Sequence, residues 1–217
     1  IDSTAIGEWG VLNNDSLITK NEVYVLDLGY DHNGNHLGYK KIIFKGLNKS
    51  GYKIEYANLD GSAINTFVIE KTELYNFTFF SFNNNGEVVT VEPPKTDWDI
   101  QFTQYSHIFY DEDLKPTFYL VTGVLHNFYA TRTYRDTVIG FEDFNFDDAL
   151  NLPYQEDMNT IGYNWKEYNY TSGQYSLKPE INYVIKTQND IYYKMHFIDF
   201  YNNLGEKGTP VFEFQKL

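Results

Sequence analysis

Five histidines, two methionines and thirty carboxylates are the groups in this chain that can do chemistry; cysteine is absent. Thiolate metal sites, disulfides and cysteine nucleophiles are therefore excluded. The stretch DHNGNH (Asp31–His36) holds two imidazoles four residues apart, with Asp31, Asn33 and Asn35 alternating between them. It departs from a calcium loop, which needs glycine at the sixth position and a late glutamate. Two histidines four apart share a face only on a helix, and Asn-Gly forbids one here, so a turn between two strands is expected. The acidic runs Asp111-Glu112-Asp113 and FEDFNFDD, with Glu142, Asp143, Asp147 and Asp148, offer oxygen ligands for a divalent cation. Such runs are usually solvated loop faces, and that reading is preferred over a cation site. Paired carboxylates would also suit a glycoside hydrolase, but with thirty acids in the chain some pair arises by chance. No G-x-S-x-G elbow, P-loop or G-x-G-x-x-G is present, so an enzyme is not expected.

His107 lies in the alternating run WDIQFTQYSHIFY, sharing a face with Tyr105 and Phe109. Met195 and His196 are adjacent in IYYKMHFIDF, so one faces a core and the other does not. His126 ends the apolar run TFYLVTGVLHN, and Met158 sits in the loop-like QEDMNTIGYNW.

The elements that must position these residues read as strands. Aromatics are 18% of the chain, with 20 Tyr and 17 Phe, a composition suited to half-buried pleated surfaces. The runs 22–30, 39–47, 52–59, 66–71, 77–82 and 87–92 are separated by turn residues, as in an antiparallel β unit. Pro93-Pro94 cannot join a central ladder and marks an edge or a connection. Residues 98–110, 117–127, 161–170, 181–188, 191–202 and 211–217 resume the strand pattern, while YATRTYRDT (129–137) reads as polar and LGEKGTP as a loop. Asp147 is expected to cap a short helical turn ending before Pro153. The expected fold is mainly β, with antiparallel sheets and one or two short helices. An N-terminal β subdomain spans 1–92 and a C-terminal β region spans 93–217, packed as one body.

The net charge is −13, from 17 Lys and Arg against 30 Asp and Glu. Such a chain repels phosphate backbones and anionic bilayers, so no nucleic acid is expected as a partner. No apolar run reaches the length of a membrane span. The chain begins at Ile1 without Met, and an upstream piece is expected to have been removed.

The ordered set DWDIQFTQY, YLVTGVLHN, IGYNWK and YVIKTQNDIYYKMHFIDFYNNLGEKGTPVFEFQKL resembles the HmuY family of Bacteroidetes. It is carried by Trp98, Asp99, Phe102 and Thr103, by Thr122-Gly123-Val124-Leu125, by Ile161-Gly162 with Trp165, and by Tyr193-Lys194, Phe197, Phe200-Tyr201 and Gly205–Gly208. The resemblance implies a hand-shaped β fold and a haem-binding lipoprotein of the outer membrane, held at the cell surface by an upstream lipid anchor, or secreted. It implies a TonB-dependent outer-membrane transporter as partner, with haem captured and passed on. It also implies one haem between two axial side chains, two His or two Met. His126 falls in the region of the first ligand and Met158 in that of the second, a mixed pair that departs from the family pattern. His107 ranks behind them as a cofactor-binding residue. The alternative is a non-haem surface accessory of the same transporter complex. In an exported protein, Asp15-Ser16-Leu17 and Asp136-Thr137-Val138 also match a short O-glycosylation acceptor pattern.

Overall fold

Tyrosine- and phenylalanine-rich runs become strands because a pleated backbone buries alternate side chains against a core. The computed structural model describes residues 6–14, 16–31 and 33–217. The chain divides into two compact units, Ile1–Pro94 and Lys95–Leu217. Every strand pairing among the described residues is antiparallel.

The first unit is built on a sheet of β1 (Gly10–Asn13), β2 (Ser16–Thr19), β3 (Val23–Asp27), β4 (Tyr39–Leu47), β5 (Gly51–Ala57) and β6 (Asn65–Glu70). Its order is β1-β2-β4-β5-β6, with β3 also paired to β4. The alternate residues Ile42, Ile54 and Tyr56 are buried together, with Phe44, Phe67 and Ile69 packed against them. The hairpin β7 (Phe79–Ser81) and β8 (Glu87–Val89) supplies Phe80 and Phe82 to that core. Tyr56 meets Phe82 edge-on at 5.0 Å and Phe67 meets Phe80 at 4.9 Å, within the range where ring pairs add to burial. Gly86 closes the hairpin at φ 96°, and a Cβ there would collide with the Tyr56 hydroxyl and the Phe80 ring. The strands β1 and β2 were not anticipated, because four-residue runs are too short to show alternation.

The second unit opens with a long hairpin, β9 (Ile100–Tyr110) and β10 (Pro116–His126), followed by β11 (Arg132–Asp136). Next come the short helix α1 (Phe146–Ala149), β12 (Lys166–Asn169), β13 (Gln174–Leu177), β14 (Asn182–Lys186), β15 (Tyr192–Tyr201) and β16 (Lys207–Lys216). A four-stranded sheet runs β11-β14-β15-β16, while β12 and β13 pair separately. Both faces of β14 are buried. Tyr183 and Ile185 join Val124, Ile161, Trp165, Met195, Phe197 and Phe200 on one side. Val184 joins Phe144 and Ala149 on the other. Trp165 stacks on Phe197 at 3.7 Å and 8°.

Three expectations are corrected here. The polar segment 129–137 contains β11, whose inward residue Thr133 is polar yet fully buried; polarity hid a strand. LGEKGTP is largely the start of β16, where Pro210 is tolerated because the strand lies at the sheet edge. The helix is capped by Asn145, not Asp147. Asn145 Oδ1 accepts the Asp147 and Asp148 amides, and the Asp148 carboxylate accepts the Asn145 amide, a reciprocal capping box.

Candidate ligand site at the end of β10

His126 is the last residue of β10 and is 0% exposed. It stands on the core-facing side of the hairpin, opposite Ile100, beside the buried Val124. Its Nδ1 lies 2.9 Å from Thr133 Oγ1 on β11. No hydrogen bond of good geometry reaches its buried Nε2 among the described residues, although the Glu156 backbone carbonyl lies close enough to favour the protonated ring. Burial, with the Arg132 guanidinium as a second cause, pushes the imidazole down to about 4; the Glu156 carbonyl and Asp157 carboxylate oppose that shift more weakly. The ring is therefore neutral at pH 7, the form that can donate a nitrogen lone pair to a metal.

The same residue is joined to Met158. The His126 amide donates to the Met158 carbonyl at 2.8 Å. Two residues back along β10, Val124 and Gly162 exchange backbone bonds of 2.9 and 3.0 Å. The segment 158–162 thus lies along the free edge of β10, and Met158 is half-buried there. Two glycines permit this close approach. A Cβ on Gly123 would sit 2.5 Å from the Gly162 carbonyl oxygen, and Gly162 itself has φ 64°.

His107 is not part of this site. It lies opposite Tyr119, seven residues along β9 from the Ile100–His126 pair, roughly 23 Å at 3.3 Å per residue. An odd separation also places it on the other face. There it packs among Phe109 at 4.7 Å and Tyr163 at 5.0 Å, a half-buried member of an aromatic cluster.

The other candidates take structural places. Met195 is fully buried in the core, and His196 stacks flat on Phe141 at 4.0 Å. DHNGNH is a turn: Asp31 Oδ1 accepts the Asn33 and Asn35 amides, and His36 Nε2 lies 2.8 Å from Asp27. His32 and Asp15 lie outside the described residues. Asp111 likewise holds its own turn, accepting the Asp113 and Lys115 amides. Asp136 is buried and accepts the Val138 and Ile139 amides, leaving Thr137 exposed. No group of three or more His, Asp or Glu able to hold a metal ion occurs among the described residues.

Sequence reasoning missed three residues. Thr133 and Arg132 frame the imidazole, and the alternation of Thr131 and Thr133 was the signal that β11 turns polar side chains inward. Lys166 is buried with Nζ donating to the Thr122 carbonyl at 2.8 Å and the Tyr163 carbonyl at 3.3 Å, over the Trp165 and Phe200 faces. It bridges β10 to the chain beyond Gly162. Nothing in NWKEY marks that lysine as buried.

The family model for HmuY protein matches residues 73–214, and the chain belongs to the HmuY family, a haem-binding, non-enzymatic family. Among solved structures, an apo HmuY analog of Tannerella forsythia is 15% identical, with 90% of this chain and 94% of that one covered and a TM-score of 0.29. No curated protein matches the chain.

Proposed function

We propose that the protein captures haem at the bacterial cell surface and passes it to a TonB-dependent outer-membrane transporter, with His126 and Met158 as the iron ligands. The observation carrying this reading is the hydrogen bond from the His126 amide to the Met158 carbonyl. It holds a buried imidazole, whose Nε2 has no well-formed hydrogen bond among the described residues, beside the half-buried Met158, and this bond must open for a macrocycle to enter between the two side chains. Imidazole nitrogen and thioether sulfur both ligate haem iron, and a mixed pair is a known mode. The haem would supply the iron and the planar macrocycle; the protein would supply two donors, with no covalent step. Family membership supports the cell-surface setting, where an upstream lipid anchor would hold the chain at the outer membrane.

Titration of the apoprotein with haemin tests the assignment. The Soret band is expected to shift and sharpen in the wild type, and the shift is expected to weaken in His126→Ala and in Met158→Ala. No spectral change with ferric or ferrous haem would sink the assignment.

A second reading is favoured by one observation: His126 is wholly enclosed, while the far half of the β9–β10 hairpin exposes Tyr110, Phe118, Tyr119 and Leu120. On that reading the protein is a non-haem accessory that docks on the transporter through aromatic surface. Co-purification of a colourless protein with a TonB-dependent receptor from native membranes would favour it. A pigmented protein, or one without a partner in gentle detergent, would count against it.

A further inference from the structure

Residues 155–160 pass beside His126 as a strap between two firm anchors. At one end Leu152 and Tyr154 pack against Phe144, Ala149 and Val184, and Tyr154 Oη donates to the Ala149 carbonyl at 2.9 Å. At the other, Ile161 is fully buried and Gly162 is doubly bonded to Val124. Between the anchors no side chain is fully buried. Gln155, Glu156, Asp157 and Asn159 are exposed, while Met158 and Thr160 are half-buried.

What fastens the strap is polar. Gln155 and Thr133 exchange backbone bonds of 2.8 and 3.4 Å, and the His126 amide meets the Met158 carbonyl. Arg132 Nη2 meets Glu156 Oε1 at 3.3 Å. The two sides of that ion pair differ. The guanidinium is anchored, its Nη1 donating to the Phe128 carbonyl at 3.0 Å and the Thr131 carbonyl at 2.9 Å. The Glu156 side chain is 80% exposed. An anchored guanidinium with a loosely held carboxylate is a site where another carboxylate can take over, since the planar fork matches that group. The inner ends of the backbone bonds, His126 and Thr133, are buried, but on the strap side Gln155 is exposed and Met158 only half-buried. The segment is thus fastened with no fully buried side chain of its own, and such weakly packed segments open before the core.

We propose that residues 155–160 form a hinged strap over His126. It opens from its Gln155–Met158 half while the Val124–Gly162 pair holds, and Arg132 then exchanges Glu156 for a carboxylate of the incoming ligand. The site thereby selects a planar macrocycle with carboxylate side chains over one without. The location of this inference rests on the reading of His126 given above; the strap and the guanidinium do not depend on iron ligation.

Two measurements test it. Amide hydrogen exchange of the apoprotein is expected to show the His126 amide exchanging at least about tenfold faster than those of Val124 and Gly162. In Glu156→Gln the His126 rate is expected to rise a further two- to fivefold or so, the size of an exposed ion pair. Equal protection of His126 and Val124 overturns the strap, and an unchanged rate in Glu156→Gln overturns the latch. The second measurement uses metal-free protoporphyrin and its dimethyl ester, read by tryptophan fluorescence. The dicarboxylate is expected to bind more tightly than the ester. Arg132→Met is expected to weaken the dicarboxylate about tenfold and leave the ester unchanged, and Glu156→Gln to strengthen the dicarboxylate. Equal binding of the two porphyrins, or binding of neither, overturns the role of Arg132. Because the probe holds no iron, a haemin titration without a Soret change alongside a retained dicarboxylate preference would remove the ligand assignment and leave this inference standing.

Discussion

Two buried nitrogens next to β10 face opposite circumstances. Among the described residues, His126 has a nitrogen without a well-formed hydrogen bond, while Lys166 has a cation without a carboxylate partner. Burial holds the Lys166 ammonium down to about 8. With the folded pKa below the unfolded one, the unfolded chain binds more protons between about pH 8 and pH 10.5, so stability rises with pH across that window. Below pH 8 the cost of the buried charge is fully present. The Trp165 and Phe200 faces favour the charged form and reduce the gain, leaving a gain of about 2 kcal/mol or less. Buried tyrosines act in the opposite sense at the alkaline end: Tyr105 is pushed up to about 12 and Tyr183 higher still, both by burial. The clean measurement is therefore a difference. Urea midpoints at about pH 7.5 and pH 9.5 should show a relative gain in the wild type that is missing from Lys166→Met. Residue identity alone carried part of this picture. His126 and Met158 stood out because a strand end and a loop flank them in sequence. Lys166 did not, because a lysine beside a tryptophan in a polar run gives no sign that two carbonyls and the faces of aromatic rings enclose it.

At the scale of elements, the site depends on how closely the 158–162 segment approaches β10. Gly123 is where that approach is tightest, and both partners are backbone. In Gly123→Ala the added methyl group would meet the Gly162 carbonyl oxygen at 2.5 Å and the Tyr163 nitrogen at 3.0 Å. Neither atom can swing aside, so a loss of about 1–3 kcal/mol is expected, seen as a fall of several degrees in Tm. Loss of protection at the His126 amide should accompany it. The long strands were legible because apolar and polar residues alternate through them, as in β4, whose ends match expectation, and β10. The strand β11 was not, since its buried side chains are threonines bonded to neighbours rather than apolar groups. Asn145 escaped notice as the cap because two acids, Asp147 and Asp148, follow it in the first turn, and either is an acceptable residue there.

For the whole molecule the excess of acid is the dominant property. A net charge of −13 repels itself in the folded state. Raising salt from about 10 to about 150 mM should shorten the Debye length from tens of ångströms to roughly 8 Å and raise Tm by a few degrees in a scanning measurement; a fall would show that attractive surface pairs dominate instead. The same excess bears on the β9–β10 ribbon. Among the described residues β9 is bonded to β10 alone, and large apolar side chains are exposed on both faces of the pair. An extended edge with that lining is a template for strand-on-strand growth between molecules. Asp111, Glu112 and Asp113 sit at its tip, with the Asp111 carboxylate fixing the turn and the neighbouring acids facing water. They act as gatekeepers against aggregation. Acid pH or high salt, which mute them, are accordingly the storage conditions under which this protein has least defence against fibre-like assembly.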